Sequence, residues 1–250
     1  MTTLPAPGLH RLGDSVVNFY LLQEGQELTL VDSGLPAHYG QLTALLTSIG
    51  RSVQDIRAVL LTHAHLDHVG LAERIRREAG AAVWVHPLDA PALADPRRPA
   101  AGAGPEGRLS RYLLRRPAAL GVPLHLARAG AFRTPPVAAV SDLRGRMALD
   151  LPGRPRVIEV PGHTPGSVAF HLPVQGAVLT GDALVTMDGL VGRNGPTIVS
   201  AAFTHDTAQA LASLKSLAPL DAGLVLPGHG DPYEGGVTEA VLRAQRAGVS

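Results

Sequence analysis

Residues 62–68 read Thr-His-Ala-His-Leu-Asp-His and follow directly on the apolar run Ala58-Val59-Leu60-Leu61. No scheme of hydrophobic packing calls for three imidazoles and a carboxylate in so short a stretch. Imidazole nitrogen and carboxylate oxygen are the donors that a borderline cation such as Zn²⁺ takes. A strand ending at Thr62 sends His63 and His65 out on the same side, because strand side chains alternate with a period of two. The turn that follows aims Asp67 and His68 at a second point nearby. Two donor pairs facing two neighbouring points imply two metal ions, and they constrain the chain to a fold that can complete both sites.

Composition narrows the setting. The 250 residues suffice for a sizeable core; 45% are hydrophobic and 17% charged, the balance of an apolar globular protein. No apolar stretch approaches the roughly 18–20 residues of a membrane span. The opening Met1-Thr-Thr-Leu-Pro-Ala-Pro-Gly has neither the basic region nor the apolar core of an export signal, so the expected location is cytoplasmic. A formal net charge of +1 gives no general field for nucleic acid or an anionic membrane, and a small molecule is the expected partner. Oligomeric state is left open, a homodimer included. With no cysteine, thiolate ligands, disulfides and a cysteine nucleophile are excluded.

Periodicity gives the organisation. Val16–Leu22 and Leu28–Val31 read as strands around the turn Glu24-Gly25-Gln26. His38–Ile49 has helical apolar spacing, Ala58–Leu61 reads as a buried strand, Leu71–Ala79 as an amphipathic helix and Ala82–Val85 as a strand. The second half repeats the grammar, with strands at 157–160, 168–172, 177–179 and 223–226 and helices at 207–217 and 238–247. Strand runs capped by helices in both halves predict two facing sheets with helices outside. We expect one domain over residues 1–250, with an insertion or lid at about 87–150. That segment contains a Pro- and Gly-rich loop at 96–105 and a helix at 109–120.

Four further motifs sit where an apolar strand gives way to a turn. They are Val31-Asp32-Ser33-Gly34, Pro161-Gly-His163-Thr-Pro-Gly-Ser167, Thr180-Gly-Asp182 and Leu226-Pro-Gly-His229-Gly-Asp231. Taken in order with residues 62–68, they resemble the metallo-β-lactamase superfamily, from about Val16 to His229. The resemblance implies an α/β fold, the αβ/βα four-layer sandwich, with the metals at one edge of the two sheets. It further implies that His63, His65 and His163 bind one ion, that Asp67, His68 and His229 bind the other, and that Asp182 bridges them. Asp32 matches the family's early strand-end aspartate, expected to steady a ligand histidine by a hydrogen bond. Two divalent ions, Zn²⁺ first with Fe or Mn as alternatives, would then supply a bridging hydroxide at neutral pH. Asp67 becomes the candidate catalytic proton carrier.

The expected activity is metal-dependent hydrolysis of a small acyl substrate, a thioester, ester or lactone. Phosphodiester hydrolysis is the alternative at the same site, and an iron-dependent oxygenase of the persulfide dioxygenase type is the alternative from another class. Familiar branches fit less well: no export signal marks a periplasmic β-lactam hydrolase, and too few residues follow His229 for the helical domain of a glutathione thioesterase. Ala183-Leu184-Val185 stand where acyl-homoserine lactonases usually place a tyrosine. Arg193, after the Asp182 loop, and Arg111 and Arg115, on the insertion helix, are candidate substrate contacts. The remaining histidines, His205 among them, read as structural.

Overall fold

Alternation with a period of two sorts the strand residues of this protein into separate cores. The computed structural model describes residues 6–96, 104–144 and 148–250. The first five residues, most of the expected 96–105 loop and residues 145–147 lie outside that description. A first sheet holds six strands in chain order: β1 (Leu9–Gly13), β2 (Asn18–Glu24), β3 (Glu27–Val31), β4 (Ile56–Leu60), β5 (Ala82–Val85) and β6 (Ser141–Asp142). β1 to β3 run antiparallel, and β3 to β6 are parallel. Phe19 and Leu21 of β2, Leu30 of β3 and Val59 of β4 face outward onto helices α1 (Tyr39–Ser48) and α2 (Ala72–Ala79), with Leu42, Leu46 and Ile75 opposite them.

The intervening residues, Tyr20, Leu22, Val31, Ala58 and Leu60, face the other way. They meet Val157, Val168, Phe170, Leu172, Leu179 and Leu226 of a second sheet. After the short helices α3 (Ala90–Ala94), α4 (Leu109–Arg115) and α5 (Gly121–Arg128), the chain enters β7 (Arg156–Glu159), β8 (Val168–Leu172) and β9 (Ala177–Gly181). A hairpin, β10 (Val185–Asp188) with β11 (Arg193–Thr197), leads through α6 (Thr207–Ser213) to β12 (Leu224–Pro227) and α7 (Val237–Ala247). The second sheet has the order β12-β9-β8-β7. Its outer residues, Ala169, Val178 and Val225, are covered by Ala210 of α6 and Ala240, Val241 and Ala244 of α7. The layers are therefore helix, sheet, sheet, helix, the expected sandwich.

Beyond the unpredicted β1, α3 and β6, three features depart from the sequence reading. The helix expected over 109–120 stops at Arg115, because Pro117 has no amide N–H and drives Arg116 out of the helical region, to φ −142° and ψ 87°. α5 then forms where none is expected, with Pro123 tolerated in its first turn. The sequence pattern does not predict the β10–β11 hairpin either: Gly189, Gly192, Gly195 and Pro196 mask it as loop. Among the described residues no helix is long and apolar enough to cross a membrane.

Candidate metal centre

β3 and β4 are parallel, as are β9 and β12, and β7 is antiparallel to β8, which is antiparallel to β9. The C-terminal ends of β3, β4, β7, β9 and β12 consequently share one edge, and the five motifs leave from those ends. Backbone bonds lace the edge together. Val168 N–H donates to Thr62 O at 2.9 Å, Asn18 N–H to Gly228 O at 2.8 Å and Gly228 N–H to Gly181 O at 2.8 Å. Asp32 turns back on itself with φ 56°, a left-handed conformation that aspartate tolerates better than most residues.

Asp32 uses that turn to organise two histidines. Its Oδ1 accepts from Thr62 N–H at 2.8 Å, and its Oδ2 accepts from Thr62 Oγ1 at 2.8 Å and from His68 Nδ1 at 2.9 Å. With the Thr62 hydroxyl proton committed to the carboxylate, Thr62 Oγ1 is left to accept from His63 Nδ1 at 3.0 Å. His163 Nδ1 likewise donates to Thr204 Oγ1 at 3.3 Å, since that hydroxyl donates to Val199 O at 2.8 Å. His229 Nδ1 donates to Val16 O. Four rings are thus fixed with Nδ1 as donor and Nε2 turned inward, the atom that a metal ion would take as its ligand.

The inward atoms converge. His63, His65 and His163 form one group of donors within 4.8 Å of one another; Asp67, His68 and His229 form a second, and His63, His68 and Asp182 a third that joins them. His65 Nδ1 stands 2.9 Å from His163 Nε2. Asp182 Oδ2 lies 3.0 Å from His229 Nε2 and 3.4 Å from His163 Nε2, and its Oδ1 lies 3.5 Å from His68 Nε2. Asp67 Oδ2 is 3.5 Å from His229 Nε2. Donors sharing one tetrahedral ion with ~2.0–2.1 Å bonds stand roughly 3.3 Å apart, so these separations fit metal ions. Three of the atoms, His63 Nε2, His68 Nε2 and Asp182 Oδ1, are buried and have no hydrogen-bond partner. Buried polar atoms are otherwise nearly always satisfied. At Gly228 an added Cβ would press on Asp182 Oδ1 and come within 2.7 Å of His68 Cε1, so glycine there keeps the cradle open.

The charges on the cluster's own groups follow from their packing. Burial and the neighbouring imidazoles keep His63 and His163 well below the usual histidine range, and burial also lowers His65. Burial opposes charge on His68 and His229 too. The carboxylates around them nonetheless win, Asp182, Asp32 and Asp67 pushing His68 up to about 9, and Asp182 and Asp67 pushing His229 up to about 10. Asp182 is buried, which would raise it, yet His229 and His68 hold it well below the carboxylate range.

One supporting residue has almost no signal in the sequence, where it is only a lone acid after Pro87-Leu88. Asp89 is buried, accepts from Gly166 N–H at 2.8 Å and Thr164 Oγ1 at 2.7 Å, and accepts from Ala64 N–H at 3.1 Å. It ties the 62–68 turn to the 161–167 loop. His205, expected to be structural, lines the cavity beside the cluster, with Nδ1 donating to Gly104 O at 3.1 Å. The three candidate arginines do not reach that cavity. Arg193 lies in β11 and donates to Ala247 O at 3.2 Å, because strand alternation turns it toward the end of α7. Arg111 and Arg115 lie on the exposed side of α4, which faces the site through Leu109.

Comparison with known proteins agrees with this geometry. A family model described as the metallo-beta-lactamase superfamily matches residues 12–229. Over 246 residues the chain is 28% identical to the probable metallo-hydrolase YflN of Bacillus subtilis strain 168, covering 92% of this chain and 86% of that one. It is similar to the solved metallo-beta-lactamase family protein TTHA1429 from Thermus thermophilus, with TM-score 0.71 and 30% identity over 96% of this chain and 79% of that one. It is similar as well to TTHA1623, solved in a di-iron-bound form, with TM-score 0.62 and 30% identity over 92% and 95% of the two chains.

Proposed function

Because the chain belongs to the metallo-β-lactamase superfamily, we propose that it is a dinuclear metallohydrolase acting on a small acyl substrate, a thioester, ester or lactone. The observation that carries this reading is the trio of buried donor atoms without hydrogen-bond partners, His63 Nε2, His68 Nε2 and Asp182 Oδ1, beside a mostly apolar cavity. His63, His65 and His163 would hold one ion and Asp67, His68 and His229 the other, with Asp182 shared between them. Zn²⁺ suits the donor set, and Fe or Mn suits nitrogen and oxygen ligands as well; the similar TTHA1623 was solved with iron. Such a pair supplies an acidified water and positive charge for a carbonyl oxygen when bound.

The chain's own residues do the rest. Asp32, through Thr62 and His68, and Thr204, through His163, fix ring orientation, so the donors need little rearrangement. Asp67 lines the cavity and is half-buried, which suits its carboxylate to take a proton from the attacking water and return it to the leaving atom. Asp89 holds Ala64 and Gly166 in place and keeps the two histidine loops in register. The apolar walls exclude bulk water from the reacting end.

Protein loaded in turn with Zn²⁺, Mn²⁺ and Fe²⁺ should hydrolyse members of a thioester, ester and lactone panel faster than a phosphodiester, with about two ions per chain by elemental analysis. Asp182→Ala should lose metal and activity together. One iron per chain with oxygen uptake, or preference for the phosphodiester, would overturn the acyl hydrolase reading.

A further inference from the structure

The cavity over the metal-centre residues has a volume of about 490 Å³ and is lined mostly by apolar side chains, with Thr164 and His205 as polar residues next to His163. At its floor lie His65, Asp67, His163, Asp182 and His229. Another part of the lining comes from the insertion: Leu109 of α4, Val122 and Leu126 of α5, and Phe132 just beyond. Of the lining side chains outside the floor, two are carboxylates, and both are spent. Asp89 accepts the three bonds described above. Asp188 accepts from Leu190 N–H at 2.9 Å and Ser200 N–H at 2.8 Å. No lysine or arginine lines the cavity among the described residues, so a distal phosphate, carboxylate or nucleotide would find neither of these cations to meet it.

The wall is built rather than collapsed. Arg116 donates to Gly189 O at 2.7 Å, and Val122 packs on Gly189. Glu106 accepts from both Thr207 N–H and Thr207 Oγ1, at 2.9 and 2.8 Å, while Gly107 N–H donates to Ala201 O at 2.8 Å. The Tyr112 hydroxyl donates to Ser250 O at 2.6 Å and adds a third anchor. The insertion is therefore clamped to the β10–β11 hairpin, to residues 201–207 and to Ser250. Its apolar side chains share the cavity lining with the metal-centre residues. Phe132 is 59% exposed, an apolar surface in water that a bound apolar group would cover.

We infer that this chamber selects an uncharged acyl group with an extended apolar body, its carbonyl at the histidine cluster and its tail against Leu109, Val122, Leu126 and Phe132. The inference rests on the hydrolase reading for its reaction and on the cavity lining alone for its specificity.

Two series test it on the full chain. Straight-chain alkanols have no bond to hydrolyse, and their binding by calorimetry should tighten about fourfold per methylene until the cavity is filled. On the metal-loaded protein, kcat/KM for p-nitrophenyl esters should climb along the same series from acetate. A carboxylate at the far end of the tail should cost at least about tenfold, since it would be buried unpaired. Phe132→Ala, at an exposed position, and Leu126→Ala should each flatten the gain per methylene relative to that variant's own acetate rate. Flat alkanol binding alongside ester hydrolysis would overturn the chamber and leave the hydrolase reading standing. Alkanol binding that tightens while no acyl substrate turns over would overturn the hydrolase reading and leave the chamber standing.

Discussion

Gly228 contributes no side chain to the metal centre, yet the centre depends on it. A Cβ at that position would press on Asp182 Oδ1 and on His68, so Gly228→Ala should cut metal content sharply. Far-UV circular dichroism should show the fold retained, because the residue is not among those held at positive φ. Full metal occupancy in that variant would refute the close-approach argument. The protons on the cluster give a second prediction. His68 and His229, pushed up to about 9 and about 10, are cationic at pH 7 in the metal-free chain, and a metal ion must displace those protons. Affinity should therefore rise between pH 7 and 9, and calorimetry in buffers of different ionisation enthalpy should record release of about two protons per chain. Proton-neutral binding would contradict it.

Among the elements, the β1–β2 turn carries more than a connection. Asp14 Oδ1 accepts from Val16 and Val17 N–H, and its Oδ2 accepts from His38 at 3.0 Å and from His125 of α5 at 2.7 Å. Val16 in turn receives the His229 ring through its carbonyl, so one carboxylate links the insertion to the loop that orients a candidate ligand. Burial would raise Asp14, but His38 and the two amides, with His125, hold it well below the carboxylate range. A group depressed in the folded state contributes its full stabilisation above its unfolded value, near 3.9 for aspartate, and loses it progressively as pH falls from there toward the folded value. Asp14→Asn should thus lower stability to urea at neutral pH, and the gap from the parent should close as pH falls below about 3.9. A gap independent of pH would assign the loss to packing instead.

At the scale of the whole molecule, the inter-sheet core sets the edge on which every motif meets. Phe170 is fully buried between the sheets, and Phe170→Ala should cost roughly 3–5 kcal/mol by denaturant titration. A loss under about 1 kcal/mol would mean that the sheets close over the gap. The strands 168–172 and 82–85 were legible residue for residue, because an apolar run bounded by turn residues has few other local solutions. Donor residues were legible for a related reason: five motifs each place histidine or aspartate right after a strand, and imidazole and carboxylate chemistry is carried by the residue type itself. The chain alone thus determined the sandwich and the candidate donors. Tertiary structure decided what faces those donors. Leu109, Val122, Leu126 and Phe132 look like any core residues in a sequence, Arg193 looks like a substrate contact, and Asp89 looks like a turn. Only packing separates them, because which side of an element meets open space depends on neighbours from distant parts of the chain, and no local pattern encodes it.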